Sequence, residues 1–400
     1  MHWNCPFRSA SIRDREPAGV SIRIVAALAD IPAAQWDALH DGGNPFVCHA
    51  FLSALESSGS LRADWGWDPM HVTIWDRDTL QAAAPLYRKT NSHGEFVFDF
   101  GWARAYADHG HDYYPKGLCA VPYSPVTGPR LLARDPAAKR QLLAAMVALC
   151  EQQGLSSMHV NFHDDADEAA FAIGPQTDAW LPRIDIQYHW ENRGDWRVFE
   201  QFLAAMDHKH RKNIRQERRK VHDAGITFRH VDGHTASEAD IAAMHGLYLQ
   251  TFAEYGNSPA LTLEFFFAIA ERMPQALVMI LAEHHGRIVA GAWCLQGRDT
   301  LHGRYWGSLV QLPGLHFETC YYQGIEHCLR SGLRRFEPGA QGEHKLARGF
   351  LPSRVRSRHW IADPAFRAAL RGWCRDESIA IERYARQLET HSPFKRVEAR

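Results

Sequence analysis

The sequence has no Cys-x-x-Cys pair, no run approaching 18 apolar residues, and no excess of charge of either sign. Each absence excludes something. The eight cysteines, at positions 5, 48, 119, 150, 294, 320, 328 and 374, have neither zinc-ribbon spacing nor the density of a disulfide framework. They read as reduced core thiols in a cytosolic compartment. A formal net charge of -1 leaves no global field toward nucleic acid or membrane, so any anion site must be local. The lack of a long apolar run excludes a hydrophobic spanning helix. The start, MHWNCPFRSASIRDREPAG, lacks the apolar core of a signal peptide. Residues 1–20 read as a disordered leader on a cytoplasmic, non-spanning chain. The 24 histidines make HxxxH and HxH spacings expected by chance, and no metal site is assigned.

What is present is an ordinary globular composition, 46% hydrophobic and 23% charged, over 400 residues, enough for two or three cores. The expected fold class is α/β (α+β), because one pattern of elements occurs twice. Strands are expected at 71–75, 82–87 and 95–100, and again at 277–282, 288–295 and 301–306. A helix over 138–153 stops at Gly154 and leads to a strand at 158–162. A helix over 319–330 stops at Gly332 and leads to a strand at 334–337. The offset is roughly 206 to 208 at the first strands and 178 between the two glycines, so the first half carries an insertion near 105–132. Helices at 33–40 and 51–59 open the first half, and helices at 237–255 and 263–273 the second. The expected domains are 21–195 and 226–362, joined by a basic helix at 196–225. A C-terminal helix and tail occupy 363–400, with the helix spanning 364–388.

The order strand, two helices, meander, helix, strand is that of a GNAT acyltransferase domain, in which an acyl carrier enters between two splayed strands. Two tandem units with mixed central sheets flanked by helices are therefore expected. In the second unit the segment from His316 carries Phe317, Tyr321, Ile325, Cys328 and Leu329 at helical spacing, giving one apolar face. Its entry, Gln311 to His316, offers free N–H groups and a positive dipole end, so Gly314, Leu315 and His316 are candidates to hold a phosphate.

After Phe336 the chain reaches Glu337, then Glu343, His344, Lys345 and Arg348. Glu337 stands where a carboxylate could take a proton from an attacking amine, and His344 is the alternative base. Lys345 could polarise the acyl carbonyl, and Arg348 lies three residues on. Arg304, Tyr305, Tyr321, Tyr322 and Arg348 are expected to contact substrate. The stretch 208–222, HKHRKNIRQERRKVH, continues an apolar stripe from Phe199 to Met206 and holds seven Lys or Arg with one acid. Lys209, Arg211, Lys212 and Arg215 are candidates for a phosphate-rich partner, whether tRNA, a nucleotide-linked precursor or an anionic membrane face. A solvated helix paired with acids elsewhere accounts for the same residues. Weaker candidates are Arg130 and Arg134 near the Asp135-Pro136 helix start, the polar aromatic insert His109 to Lys116, and Asn161 or His163 as the first half's counterpart of Glu337.

Several stretches together resemble the FemAB-like family of predicted N-acyltransferases, a branch of the GNAT superfamily. They are HGEFVFDFGWARAY, YYPKGLCAVPYSPVTGPRLL, KHRKNIRQERRKV, LTLEFFFAIAERMP, HGRYWG, the whole of 316–350, and HWIADP. The resemblance spans roughly residues 22 to 396. It implies similarity to Fem transferases, which add amino acids from aminoacyl-tRNA to peptidoglycan precursors. Lys345 with Gly349-Phe350 is similar to a lysine-phenylalanine-glycine pattern of those enzymes. Where they carry a basic residue and a tryptophan before a glycine, this chain has Glu254, Tyr255 and Gly256. The implied donor is acyl-CoA or aminoacyl-tRNA, with no tightly bound cofactor. The implied acceptor is a small amine or a peptidoglycan-type precursor. The alternative is a non-catalytic GNAT-like module that binds an anionic precursor, RNA or membrane through helix 208–222.

Overall fold

A computed structural model describes residues 19–172, 177–340 and 342–395. Most of the expected leader, residues 1–18, lies outside them, as does the tail from 396.

The first half contributes β1 (Val20–Val25), β2 (Trp67–Pro69), β3 (His71–Asp76), β4 (Thr79–Ala84), β5 (Leu86–Lys89), β6 (Lys116–Cys119), β7 (Leu132–Ala133), β8 (Ser157–His163) and β9 (Trp180–Glu191). The second contributes β10 (Ile226–Val231), β11 (Leu277–His284), β12 (Arg287–Gln296), β13 (Thr300–Ser308), β14 (Arg335–Glu337) and β15 (Leu351–Ile361). A four-stranded sheet runs β1-β3-β4-β7. An eleven-stranded sheet runs β10-β11-β12-β13-β14-β9-β15-β8-β6-β5-β2. The halves exchange strands: β9 lies between β14 and β15, and β15 lies between β9 and β8. Their antiparallel ladder, from Leu351↔His189 to Trp360↔Trp180, joins the two units into one sheet. A second seam is apolar, with Phe46 and Phe51 of the first half packed in one core with Phe265 and Trp293 of the second.

Local chemistry explains most elements. Asp135 caps helix Pro136–Gln152 with Pro136 at its first position. Ser237 and Asp240 form a capping box at Glu238–Glu254. Gly332, at φ 71°, ends the helix Gln323–Ser331.

Five expectations are corrected. The segment 95–100 is not a strand. Its alternation is inverted, with Phe96, Phe98 and Phe100 exposed and Glu95 and Asp99 buried against Lys116. The expected strand 82–87 divides at Pro85, which has no N–H for a ladder, and its pieces β4 and β5 join different sheets. The basic helix is not continuous with the stripe from Phe199. Helix Phe199–Ala205 ends, and Asp207 caps a new helix, His208–Asp223, by accepting from His210 N. The helix after Gly314 is wound wide over Glu318–Tyr322 before it settles into Gln323–Ser331. Finally, β6 runs parallel to β8 as β13 does to β14, which makes β6 the counterpart of β13. Most of the first half's extra residues therefore lie before β6, between 85 and 115, rather than at 105–132.

Candidate functional site

β13 and β14 pair only through Thr300↔Arg335, Leu301↔Phe336 and His302↔Glu337. β13 continues beside β12 to Ser308, while the other chain leaves through Pro338 and Gly339. The strands therefore part at His302 and Glu337. Gly303 sits at the fork, where a Cβ would come 3.3 Å from Pro338 Cα, so the missing side chain lets the two backbones approach.

On the face turned toward the first half, three side chains form a row across adjacent strands. His302 Nδ1 lies 3.2 Å from Glu337 Oε2, and His189 Nδ1 lies 3.9 Å from Glu337 Oε1. All three are buried. Burial alone would raise the Glu337 carboxyl, but His189 and His302, with Arg335 behind them, outweigh it and bring it down to about 2. His189 comes from the exchanged strand β9. Gln187 Nε2 donates to Pro125 O, so its Oε1 is free to accept from His189 Nε2 at 3.2 Å. The neutral imidazole then carries its lone pair on Nδ1, which is buried, without a hydrogen bond, and beside Glu337. Burial lowers the His189 pKa, with Glu337 opposing.

Arg304 and Tyr305, the expected substrate contacts, lie just past the fork. Arg304 Nη2 donates to Tyr123 O at 2.5 Å, and Tyr305 OH reaches the same oxygen at 3.5 Å. A first-half loop thus closes one side of the second-half site.

Lys345, His316, Tyr321 and His344 gather on the other side of the fork. Lys345 is buried, and its Nζ donates to Gly339 O at 2.8 Å. Burial and repulsion from Arg304 bring its ammonium down to about 8, against the pull of Cys320. His344 Nε2 lies 2.9 Å from Tyr321 OH, and His316 packs on Trp306, Tyr321 and His344. Burial, reinforced by the charges of His344, Lys345 and Arg348, brings His316 down to about 4. Glu337 and His344, the two expected bases, therefore belong to different clusters and do not compete for one proton.

The entry loop abuts the basic helix. Gly314 is at φ 93°, and a Cβ there would lie 3.3 Å from Glu217 O. Glu318, in the first turn, pairs with Arg218 at 3.0 Å, and Arg218 also meets Glu326 at 2.8 Å. Arg348 pairs with Glu217 at 2.6 Å and lies over the Phe317 ring, and Tyr322 OH donates to Glu217. Of the four cations proposed on the helix, Lys209 and Lys212 are exposed. Arg215 pairs with Glu200 at 2.5 Å, and Arg211 donates to Met206 O at 3.4 Å.

In the first half, His163 is buried beside Glu168 and Asp164 O rather than facing a fork. His109 and His111 lie edge-on to Phe366, away from the second-half site. Sequence reasoning missed His302 and His189. His302 was legible as the residue paired with Glu337 once the strands were aligned. His189 was not, because only the strand exchange brings it there.

A sequence profile described as peptidoglycan biosynthesis/recognition matches residues 27–396. The chain belongs to the FemAB-like family. A comparison with curated proteins gives no match. The crystal structure of FemX is similar at a TM-score of 0.50 and 10% identity, over 85% of this chain and 98% of that one. The C-terminal domain of a putative lysylphosphatidylglycerol synthetase from Agrobacterium fabrum has a TM-score of 0.50 and 10% identity, over 86% and 96%. A tandem GNAT protein from the clavulanic acid biosynthesis pathway has a TM-score of 0.42 and 14% identity, over 86% and 99%. At these identities the likeness is one of fold, and the FemAB-like chain has a mixed α/β architecture in which two halves share one large sheet. The family description places the chain in peptidoglycan biosynthesis or recognition. No helix of the described residues is long and apolar enough to cross a membrane.

Proposed function

We propose that this FemAB-like protein is a cytoplasmic N-acyltransferase. It moves an acyl or aminoacyl group from acyl-CoA or aminoacyl-tRNA to the amine of a small molecule or peptidoglycan-type precursor. The observation that carries this reading is the fork at His302 and Glu337, with a carboxylate between two imidazoles on one side and a buried lysine on the other.

In this reading the carrier enters from the side of His316 and Lys345 and places its acyl carbon at the fork. The acceptor amine arrives from the side of Arg304 and Tyr305. Its nitrogen bonds to the acyl carbon, the bond to the carrier sulfur or oxygen breaks, and one proton leaves the amine. His189 Nδ1 is the open acceptor for that proton, Glu337 stabilises the imidazolium that results, and the proton then passes to the departing sulfur or oxygen. Lys345 and nearby backbone amides stabilise the oxyanion. The acid–base unit is thus the row rather than Glu337 alone, because a carboxylate held near 2 is a weak base.

The test is transfer of radiolabelled acyl groups from acyl-CoA, and of amino acids from charged tRNA, to amine acceptors. Replacing Glu337, His189 and Lys345 together should abolish turnover with the fold intact. Full turnover in that variant would overturn the assignment. A second reading, binding of an anionic polymer without catalysis, is favoured by exposed Lys209, Lys212, Arg219 and Lys220 on one helix. It predicts steeply salt-dependent binding and no acyl transfer.

A further inference from the structure

The first half buries a chain of polar side chains that the proposed reaction does not use. Ser357 Oγ lies 2.8 Å from His359 Nε2. His359 Nδ1 lies 2.6 Å from His159 Nδ1. His159 Nε2 reaches Ser157 Oγ at 2.7 Å and Tyr113 OH at 3.3 Å. Tyr113 OH donates to Asp99 Oδ2 at 2.7 Å, and Lys116 pairs with the same carboxylate. All of these residues are buried. A buried network of this length is costly to assemble unless its members satisfy one another.

The network has a direction. Burial would raise the Asp99 carboxyl, but Lys116 holds it below its usual range. As a carboxylate it only accepts, so Tyr113 donates to it and the Tyr113 oxygen is free to accept from His159 Nε2. Ser157 Oγ is free to accept from it too, because Ser156 donates to Tyr113 O and the Ser157 proton goes to Ser156 Oγ at 3.2 Å. His159 Nδ1 then accepts from His359 Nδ1, and His359 Nε2 is left with its lone pair facing the Ser357 hydroxyl. A serine bonded to an imidazole whose other nitrogen is fixed by a chain ending in a carboxylate is the arrangement that activates a nucleophile.

Ser357 is also reachable. It lies in a groove of about 230 Å³, lined among others by Phe98, Phe162, Arg183, Trp373 and Ile381. The strand register places Ser357 between Asn161 and Arg183. The Asn161 side-chain oxygen is buried without a partner. Phe162 is held at φ 56°, a conformation unusual for an aromatic residue, at the edge of the groove. The walls are mixed, with the aromatic and aliphatic side chains beside the charged Arg183, Asp185, Arg356 and Glu377, and the volume suits a short chain.

We propose that Ser357 is a nucleophile that accepts a short acyl group from an ester or thioester, with His359 as its base. Ser357 Oγ forms a bond to the acyl carbon, and the bond from that carbon to the alkoxide or thiolate breaks. The Ser357 proton passes to His359 Nε2 and then to the leaving group. Water attacks the acyl-serine in the second step, giving a carboxylic acid and restoring the hydroxyl. This centre is separate from the fork at Glu337 and does not depend on the activity proposed there.

The test uses the full chain with a fluorophosphonate probe and with p-nitrophenyl butyrate. Peptide mapping by mass spectrometry should find one phosphonyl adduct, on Ser357. Nitrophenolate release should be lost in Ser357→Ala, which should leave N-acyl transfer at the fork unchanged. Labelling in His359→Gln should be roughly 10²-fold slower or worse, with an unaltered circular-dichroism spectrum. If that variant does not fold, Tyr113→Phe, which keeps the ring and cuts the relay, should slow labelling by roughly tenfold. Native protein with no adduct on Ser357 would overturn the proposal, as would undiminished labelling in a folded relay variant.

Discussion

Glu337 and His159 occupy the same place in the two halves. Glu337 is the parallel partner of His302 on β13, and His159 is the parallel partner of Leu118 on β6. Each then meets a histidine on the strand contributed by the other half, His189 for Glu337 and His359 for His159. The row His302–Glu337–His189 is therefore answered by Leu118–His159–His359, and the carboxylate exists in one copy only. The first-half fork is also closed. Arg130 is fully buried there, donating to Asn161 O and Val126 O, and Gly128 N donates to Phe162 O.

This asymmetry predicts that N-acyl transfer runs at the second-half row alone. Glu337→Gln keeps the shape, removes the charge beside His189, and should lower kcat by roughly 10²-fold or more. His163→Ala, at the other histidine considered for a site, should change kcat by less than roughly tenfold. Steady-state transfer rates of the two purified variants check this. Equal losses would mean that both halves work.

The same row makes stability depend on acid. The folded Glu337 carboxyl, at about 2, is depressed from its ordinary 4.5. Its contribution is fully present above the unfolded pKa and is lost as pH falls from about 4.5 toward 2. That is of the order of 3 kcal/mol for a buried group. His189, lowered by burial, adds loss in the same direction because the unfolded chain binds its proton more readily. Urea midpoints of the native chain should fall between pH 5 and 3 more steeply than those of Glu337→Gln.

How much of this was legible in sequence follows from which contacts are local. The duplication, the fork and the place of Glu337 could be read because helix stops and strand rhythm lie within short windows. The segment 95–100 misled because alternation alone does not say which side faces inward. Its acids are buried by Lys116, some twenty residues away, and the phenylalanines are left outside. His189, His159 and His359 were invisible as site residues because the strand exchange pairs positions up to 200 residues apart.

Lys345 gives a prediction on the alkaline side. Its folded pKa of about 8 lies below the ordinary 10.5. If its charge stabilises the oxyanion, transfer should decline as pH rises through about 8. Lys345→Met should lose that limb and lower kcat by roughly 10²-fold. Stability moves the opposite way. The unfolded chain binds this proton more strongly, so the native state gains as pH rises from about 8 to 10.5. Rate profiles and urea midpoints on one sample separate the two trends.

Two glycines test the packing that holds the fork. A Cβ on Gly307 would lie 2.1 Å from Leu247 O, in the helix that backs β13. That atom is backbone and cannot step aside. Gly307→Ala should cost roughly 1–3 kcal/mol and lower both Tm and transfer, since the displaced strand carries Arg304 and Tyr305. Gly372, inside helix Pro364–Glu389, has nothing within 4 Å of where a Cβ would stand. Gly372→Ala should therefore stabilise the chain by roughly 0.5–1 kcal/mol and leave transfer unchanged. Calorimetric Tm values of opposite sign for the two variants would confirm that β13 is pressed against the helix at backbone distance. A neutral Gly307→Ala would show that the strand can give way without disturbing the fork.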